Sequence, residues 1–221
     1  MFDLALFDLD GTLTDPGEGI TNSVSYALSR FGIDVPDRRT LYPFIGPPLV
    51  DSFMKYYDFS KDDALSALSY YREYFGDRGM FENEPYPGVP EMLKTLKKSG
   101  CRLVIATSKP DVFTMKILEH FALRDYFDFF ACATMDEKRN RKDDVIEYAL
   151  QNCGKYERAV MVGDREYDVK GAKKFGLSAI GVTYGYGSKE ELLSSGADFL
   201  AETPADVARI ILGRTRKSLD N

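Results

Sequence analysis

The chain of 221 residues is 44% hydrophobic and carries 15 Phe and 14 Tyr, enough to bury a sizeable core in one large domain or a domain with a smaller insertion. Its 35 Asp and Glu outnumber 29 Lys and Arg, for a formal net charge of −6, so there is no basic footprint for a nucleic-acid polymer. No apolar run approaches the ~20 residues of a membrane span, the acidic N-terminus is unlike a secretory leader, and the scattered Cys101, Cys132 and Cys153 suit neither a disulfide framework nor a zinc cage, so a cytoplasmic globular protein is expected.

Met1 to Asp8 reads as a buried strand, with Leu4, Leu6 and Phe7 leading into the polar run Asp8-Leu9-Asp10-Gly11-Thr12. From Asp15 to Tyr86 no buried strand is evident. Ile20, Val24, Ala27, Leu28 and Phe31 mark one helical stripe. Ala64, Leu65, Leu68, Tyr71 and Phe75 mark another, opened by Ser60 with Asp63 at capping-box spacing. Residues 15–86 are therefore expected to form a helical domain inserted straight after the first strand. Asp15-Pro16-Gly17 and Pro85-Tyr86-Pro87-Gly88 mark its ends, and Ile45-Gly46-Pro47-Pro48 reads as a loop inside it. The aromatic run Phe53, Tyr56, Tyr57 and Phe59 reads as core of that insert.

Residues 1–14 and 87–221 are expected to form an α/β core. Val89, Met92, Leu93 and Leu96 make a helical stripe closed by Ser99-Gly100. Arg102 to Ala106 is a short strand ending in Thr107-Ser108, with Pro110 opening the next helix. Cys153-Gly154 ends a helix before the strand Ala159 to Val162, which stops at Gly163-Asp164. Phe175-Gly176 ends another before the strand Leu177 to Val182. Ser195-Gly196 precedes a last short strand at Phe199-Leu200, and Thr203-Pro204 opens the C-terminal helix. Helix, glycine stop and buried strand, repeated in this way, argue an open parallel Rossmann-like sheet.

In such a sheet ligands sit beyond the carboxyl ends of the strands. Asp8 and Asp10 stand there two residues apart, a repulsion that a hard cation, most simply Mg²⁺, would relieve. Thr107 and Ser108 end the second core strand just before a helix N-terminus, where anions are favoured. Lys142 opens a later helix, and Asp164 and Asp168 follow another strand one helical turn apart. Acids, hydroxyls and a lysine on one rim suit phosphoryl transfer, in which positioning and charge neutralisation dominate.

Asp8-Leu-Asp-Gly-Thr, Thr107-Ser108-Lys109-Pro110, Lys142 and Gly163-Asp164-x-x-x-Asp168, in this order, resemble the four motifs of the haloacid dehalogenase superfamily. The helical insert, with Ile45-Gly46-Pro47-Pro48-Leu49 inside it and Tyr86-Pro87-Gly88-Val89 at its exit, is similar to the C1 cap of the phosphoglycolate phosphatase-like branch. The resemblance implies a Mg²⁺-dependent phosphatase acting on a small phosphorylated metabolite. Asp8 would be the nucleophile that becomes an aspartyl-phosphate, and Asp10 the acid that protonates the leaving oxygen. Asp8, the Asp10 main-chain carbonyl and Asp164 would hold the metal, with Asp168 joining them or orienting Lys142. Thr107, Ser108 and the backbone amides after Asp10, at Gly11 and Thr12, would hold the phosphate. Lys142 would neutralise charge between Asp8 and the phosphate. The family's lysine is often followed by proline, whereas Asp143 follows Lys142, so Lys138 in its charged turn is a rival.

Other readings remain at this stage. A 5′-nucleotidase or pyrophosphatase shares the scaffold, and so does a β-phosphoglucomutase-like isomerase, which would want a histidine in the insert where there is none. A non-catalytic phosphate-binding protein would be expected to have lost Asp8, Asp10 or Asp164. Dehalogenation is disfavoured by Asp10, and phosphonate cleavage would need Lys55 or Lys61 in an apolar setting. His120, the only histidine, falls near a helix C-terminus and reads as a charge–dipole residue. Tyr184-Gly185-Tyr186-Gly187 is expected to shape a wall of the site entrance. Arg38, Arg39, Lys55 and Arg72 are the insert's candidate anion contacts, and Arg209, Arg214, Arg216 and Lys217 read as a solvated basic end. Monomer and homodimer are both open.

Overall fold

Side-chain alternation in the first strand sets how the sheet is covered. In the computed structural model, which describes residues 1–136 and 138–214, strand β1 (Leu4–Phe7) sends Ala5 and Phe7 into one apolar cluster and Leu4 and Leu6 into another, all fully buried. A strand buried on both faces needs helices on both, and the rest of the chain supplies them.

The chain leaves β1 through a tight turn to strand β2 (Thr14–Asp15) and enters helix α1 (Gly17–Ser29). A 3₁₀ segment at Arg38–Phe44 and the proline loop lead to α2 (Leu49–Tyr57), then to α3 (Lys61–Tyr74), whose Ser60 cap accepts from the Asp63 amide. A π-helical turn, Phe75–Gly79, closes α3, and strand β3 (Glu84–Pro85) returns antiparallel to β2. Ile20, Val24, Ala27 and Leu28 of α1 meet Ala64, Leu68 and Tyr71 of α3, as their spacing predicts, with Ala67 beside them, whereas Leu65, expected in that stripe, is exposed. Phe53 is fully buried, and Tyr57 and Phe59 pack against the same cluster, but Tyr56 is exposed and is not core. Within the insert, α2, whose aromatic run hides its stripe, and the β2–β3 pair, too short to show a period of two, go beyond the sequence reading.

The remaining elements alternate: α4 (Val89–Lys98), β4 (Arg102–Pro110), α5 (Asp111–His120), β5 (Phe129–Ala133), α6 (Lys142–Asn152), β6 (Ala159–Gly163), α7 (Glu166–Lys174), β7 (Ser178–Val182), α8 (Lys189–Ser194), β8 (Phe199–Ala201) and α9 (Pro204–Ile211). Six strands form one parallel sheet in the order β5-β4-β1-β6-β7-β8. Side chains of α4, α5 and α9 pack in the cluster with Ala5 and Phe7, which runs on into the insert, while α6, α7 and α8 cover the face of Leu4 and Leu6. Strand β4 outlasts the expected run to Ala106: its pairing with β5 continues to Pro110 across an irregularity between Thr107 and Pro110. Thr203 caps α9 with Pro204 at its first position, as read from the sequence. Among the described residues no helix is long and apolar enough to cross a membrane. Arg209 pairs with Asp206, whereas Arg216 and Lys217 lie outside the described residues.

Candidate active site

The strand order places β1 between β4 and β6, so that residues following three neighbouring strands converge at one rim, on the side where the order reverses. Asp8 follows β1, Thr107 lies near the end of β4, and Asp164 follows β6. From the next helices come Lys142, first residue of α6, and Asp168 in the first turn of α7. All five are buried.

Lys142 ties the cluster together. Its ammonium lies 2.7 Å from Asp8 Oδ1 and 2.8 Å from Asp168 Oδ1, and donates to the Ala106 carbonyl at 3.1 Å. Three partners match the three protons of an ammonium. Burial alone would lower its pKa, but Asp168 and Asp8 outweigh that and hold the charge on. Lys138, the rival, is a solvated lysine paired with Asp136.

Asp8, Asp164 and Asp168 each offer a carboxylate oxygen, all within 4.8 Å of one another. Burial, with Asp168 and Asp8 beside it, pushes the Asp164 carboxyl well up. Burial also pushes Asp168 up to about 6, against the pull of Lys142. Three carboxylates facing one ammonium leave an excess of two negative charges, matched by one divalent cation, and an all-oxygen donor set suits Mg²⁺. The residues therefore fit a Mg²⁺ ion. Asp10 is not part of that carboxylate group.

Asp10 is held elsewhere. Its Oδ2 lies 2.8 Å from the ammonium of Lys109, while its Oδ1 is buried without a hydrogen-bond partner. Burial pushes the Asp10 carboxyl up, against the attraction of Lys109. Lys109 stands in the second motif but was not read as a site residue. A lysine next to proline at a strand end looks solvated, and only the fold brings it against Asp10.

Gly11 and Thr12 do not reach the cleft as expected. The Gly11 amide donates to Thr14 O at 2.8 Å and the Thr12 amide to Leu9 O at 3.2 Å, so both are spent on the turn. Thr12 is fully buried, with its hydroxyl 3.4 Å from Asp164 Oδ1. Gly11 has φ +78°, and a Cβ there would meet Asp164 Oδ2 at 2.2 Å. Both residues thus shape the bed of Asp164. Tyr184 to Gly187, expected to wall the site entrance, are not among the residues that line the cleft of Asp8 and Asp10, and instead support Asp164. The Tyr186 amide donates to Asp164 Oδ2 at 2.8 Å, and the Tyr184 hydroxyl to Thr12 O at 3.1 Å.

Asp8, Asp10, Thr107, Ser108 and Lys109 line a cleft of ≈ 90 Å³ together with apolar and aromatic residues of the insert, Phe44, Leu49, Leu68, Tyr71 and Phe75, and the polar side chains of Arg72, Thr134 and Asn140. Of the insert's four candidate cations only Arg72 lines it, donating to Met135 O at 3.4 Å. Arg38 bonds to Asn22, Arg39 to Asp37, and Lys55 lies over the Tyr56 ring. His120 packs between Phe81 and Phe121 at the end of α5, away from the cleft. The three cysteines carry free thiols outside it, and burial pushes Cys101 up to about 11 and Cys132 up to about 12.

Residues 5–182 match the haloacid dehalogenase-like hydrolase family. A 5′-nucleotidase of Pseudomonas aeruginosa is 47% identical over 188 residues, covering 85% of each chain. A pyrophosphatase, PpaX, of Halalkalibacterium halodurans is 30% identical over 207 residues, covering 93% of this chain and 95% of its own. The crystal structure of a predicted phosphatase from Clostridium acetobutylicum superimposes with a TM-score of 0.93 at 49% identity, over 96% of this chain and 99% of that one.

Proposed function

Since the chain belongs to the haloacid dehalogenase-like hydrolases and is a phosphatase of that family, we propose that it hydrolyses a small phosphomonoester through an aspartyl-phosphate on Asp8, with Mg²⁺ at Asp8, Asp164, Asp168 and the Asp10 carbonyl. The observation that carries this reading is the Lys142 ammonium shared between Asp8 and Asp168, with Asp10 held apart on Lys109. One carboxylate, Asp8, is buried within the acid cluster against the Lys142 ammonium, and a second, Asp10, is kept out of it. That division suits a nucleophile and a proton carrier.

Lys142 holds one oxygen of Asp8, leaving the other to attack phosphorus. As the ester P–O bond breaks, Asp10 gives its proton to the departing oxygen. A water then attacks the acyl phosphate, Asp10 takes the water's proton, and the Asp8–phosphorus bond breaks to restore the carboxylate and release inorganic phosphate. Thr107 and Ser108, which line the cleft, bind the transferring group. Bound at the carboxylates, Mg²⁺ supplies the charge neutralisation that lets an anionic nucleophile approach an anionic ester. We take residues 15–86 as a helical domain capping a core of 1–14 and 87–221.

Among phosphomonoesters, a nucleoside 5′-monophosphate comes ahead of phosphoglycolate and pyrophosphate. The apolar and aromatic side chains of Phe44, Leu49, Leu68, Tyr71 and Phe75 offer contacts to a nucleoside, beside the polar Arg72, Thr134 and Asn140. The relative at 47% identity bears the name 5′-nucleotidase. The test is kcat/KM across nucleoside monophosphates, phosphoglycolate, pyrophosphate and sugar phosphates, with and without Mg²⁺. Asp8→Asn is expected to lose about 10⁴-fold or more in kcat while keeping the wild-type circular dichroism spectrum. Wild-type turnover by that variant would remove Asp8 as nucleophile.

A further inference from the structure

We propose that Lys109 is a positioning residue for Asp10, and that Phe75 of the insert holds Lys109 to that task. The assignment rests on the phosphatase reading above. Lys109 and Asp10 are both nearly closed to solvent, with side chains 6% and 13% exposed. An ammonium buried to that extent needs partners that return what water gave it. Two are present: Asp10 Oδ2 at 2.8 Å, and the face of the Phe75 ring with its centroid 4.2 Å from the nitrogen.

The consequence for Asp10 is geometric. With Oδ2 fixed on Lys109, the carboxyl group cannot turn freely, and Oδ1 is the one oxygen left without a bond. Oδ1 is then the atom that carries the proton to the leaving oxygen and later takes it from water. Lys109 itself touches neither the attacking nor the departing oxygen in this scheme.

Phe75 is not a chance neighbour. It stacks on Tyr71 at 5.3 Å with the rings 13° apart, and meets Phe113 of α5 edge-on at 5.2 Å. It is also the first residue of the π-helical turn that ends α3, an irregularity that re-aims side chains at the end of a helix. The ring is thereby placed by both the insert and the core. Displacing it would strip the ammonium of one of its two partners, so the aim of the proton carrier depends on where the insert stands.

Leaving-group chemistry separates this role from a structural one. An aryl ester such as p-nitrophenyl phosphate departs as a stable phenolate and needs little protonation. An alkyl ester such as a nucleoside 5′-monophosphate departs as an alkoxide and needs the proton. Because kcat/KM reports the first chemical step, Lys109→Met is expected to cut it about 100-fold for the alkyl ester but less than about fivefold for p-nitrophenyl phosphate. Phe75→Leu is expected to act in the same sense, about tenfold on the alkyl ester only. Equal losses on both esters overturn the assignment. Should Lys109→Met fail to fold by circular dichroism, Phe75→Leu decides alone, by the same criterion. A wild type that hydrolyses neither ester overturns the phosphatase reading itself, a result distinguishable from equal losses in the variants.

Discussion

Asp164 is held by backbone on sides where a side chain would not fit. A Cβ on Gly185 would come 2.3 Å from Gly11 O and 2.4 Å from Asp164 Cβ, while the neighbouring Tyr186 amide binds Asp164 Oδ2. Gly185→Ala is therefore expected to cost about 1–3 kcal/mol by overpacking, read from urea denaturation, and to lower kcat as Asp164 shifts. Unchanged stability would mean the loop can move aside freely. The sequence exposes Asp8, Asp164 and Lys142 because each is a polar residue placed directly at the end of a strand or the start of a helix. It does not expose the bed of Asp164 or the partnership of Asp10 with Lys109. Those depend on contacts between separate strand-end loops, and glycines between tyrosines look like any exposed loop.

At the scale of elements, the outer strands are stitched by single carboxylates. Asp198, just before β8, accepts from the Ala179 amide of β7 at 2.7 Å and from the ammonium of Lys173 in α7. Burial is the largest single influence and raises its pKa, but Lys173 and the Ala179 amide together outweigh it, and the net shift is downward from 3.8. A carboxyl lowered in the folded state stabilises it above the unfolded pKa, and that stabilisation is lost as the pH falls through the folded pKa. The gap in Tm between wild type and Asp198→Asn is thus expected to be fullest near neutrality and to close below the ordinary carboxylate range. A gap independent of pH would assign the effect to packing. Most core strands are legible because glycine stops punctuate them and their apolar runs are continuous; β5 is not, since no glycine precedes its Phe129–Ala133 run. The pair β2–β3 is not, since two residues cannot display a period, and α2 is hidden because prolines precede it and aromatic residues blur its apolar stripe. The extension of β4 to Pro110 is equally invisible, because Thr107-Ser108 reads as a stop.

Across the whole molecule, the acid cluster draws on β1, β6 and α7, so an ion that relieves it should stabilise the fold and not the site alone. Mg²⁺ is expected to raise Tm with concentration, each tenfold step above its Kd adding about 1.4 kcal/mol. In Asp164→Asn that dependence is expected to flatten. A wild-type Tm indifferent to Mg²⁺ would argue against metal at the three aspartates. The β2–β3 ladder has a different bearing. Thr14 pairs with Pro85 and Asp15 with Glu84, so the chain departs and returns at adjacent points. From the standpoint of the sheet, everything between them is one long loop with its ends clasped, and doubling such a loop costs only about 0.6 kcal/mol in closure entropy. Segments of other lengths could be grafted between the two strands while the strand-end chemistry stays in register, which makes this clasp a natural seam for exchanging one specificity for another.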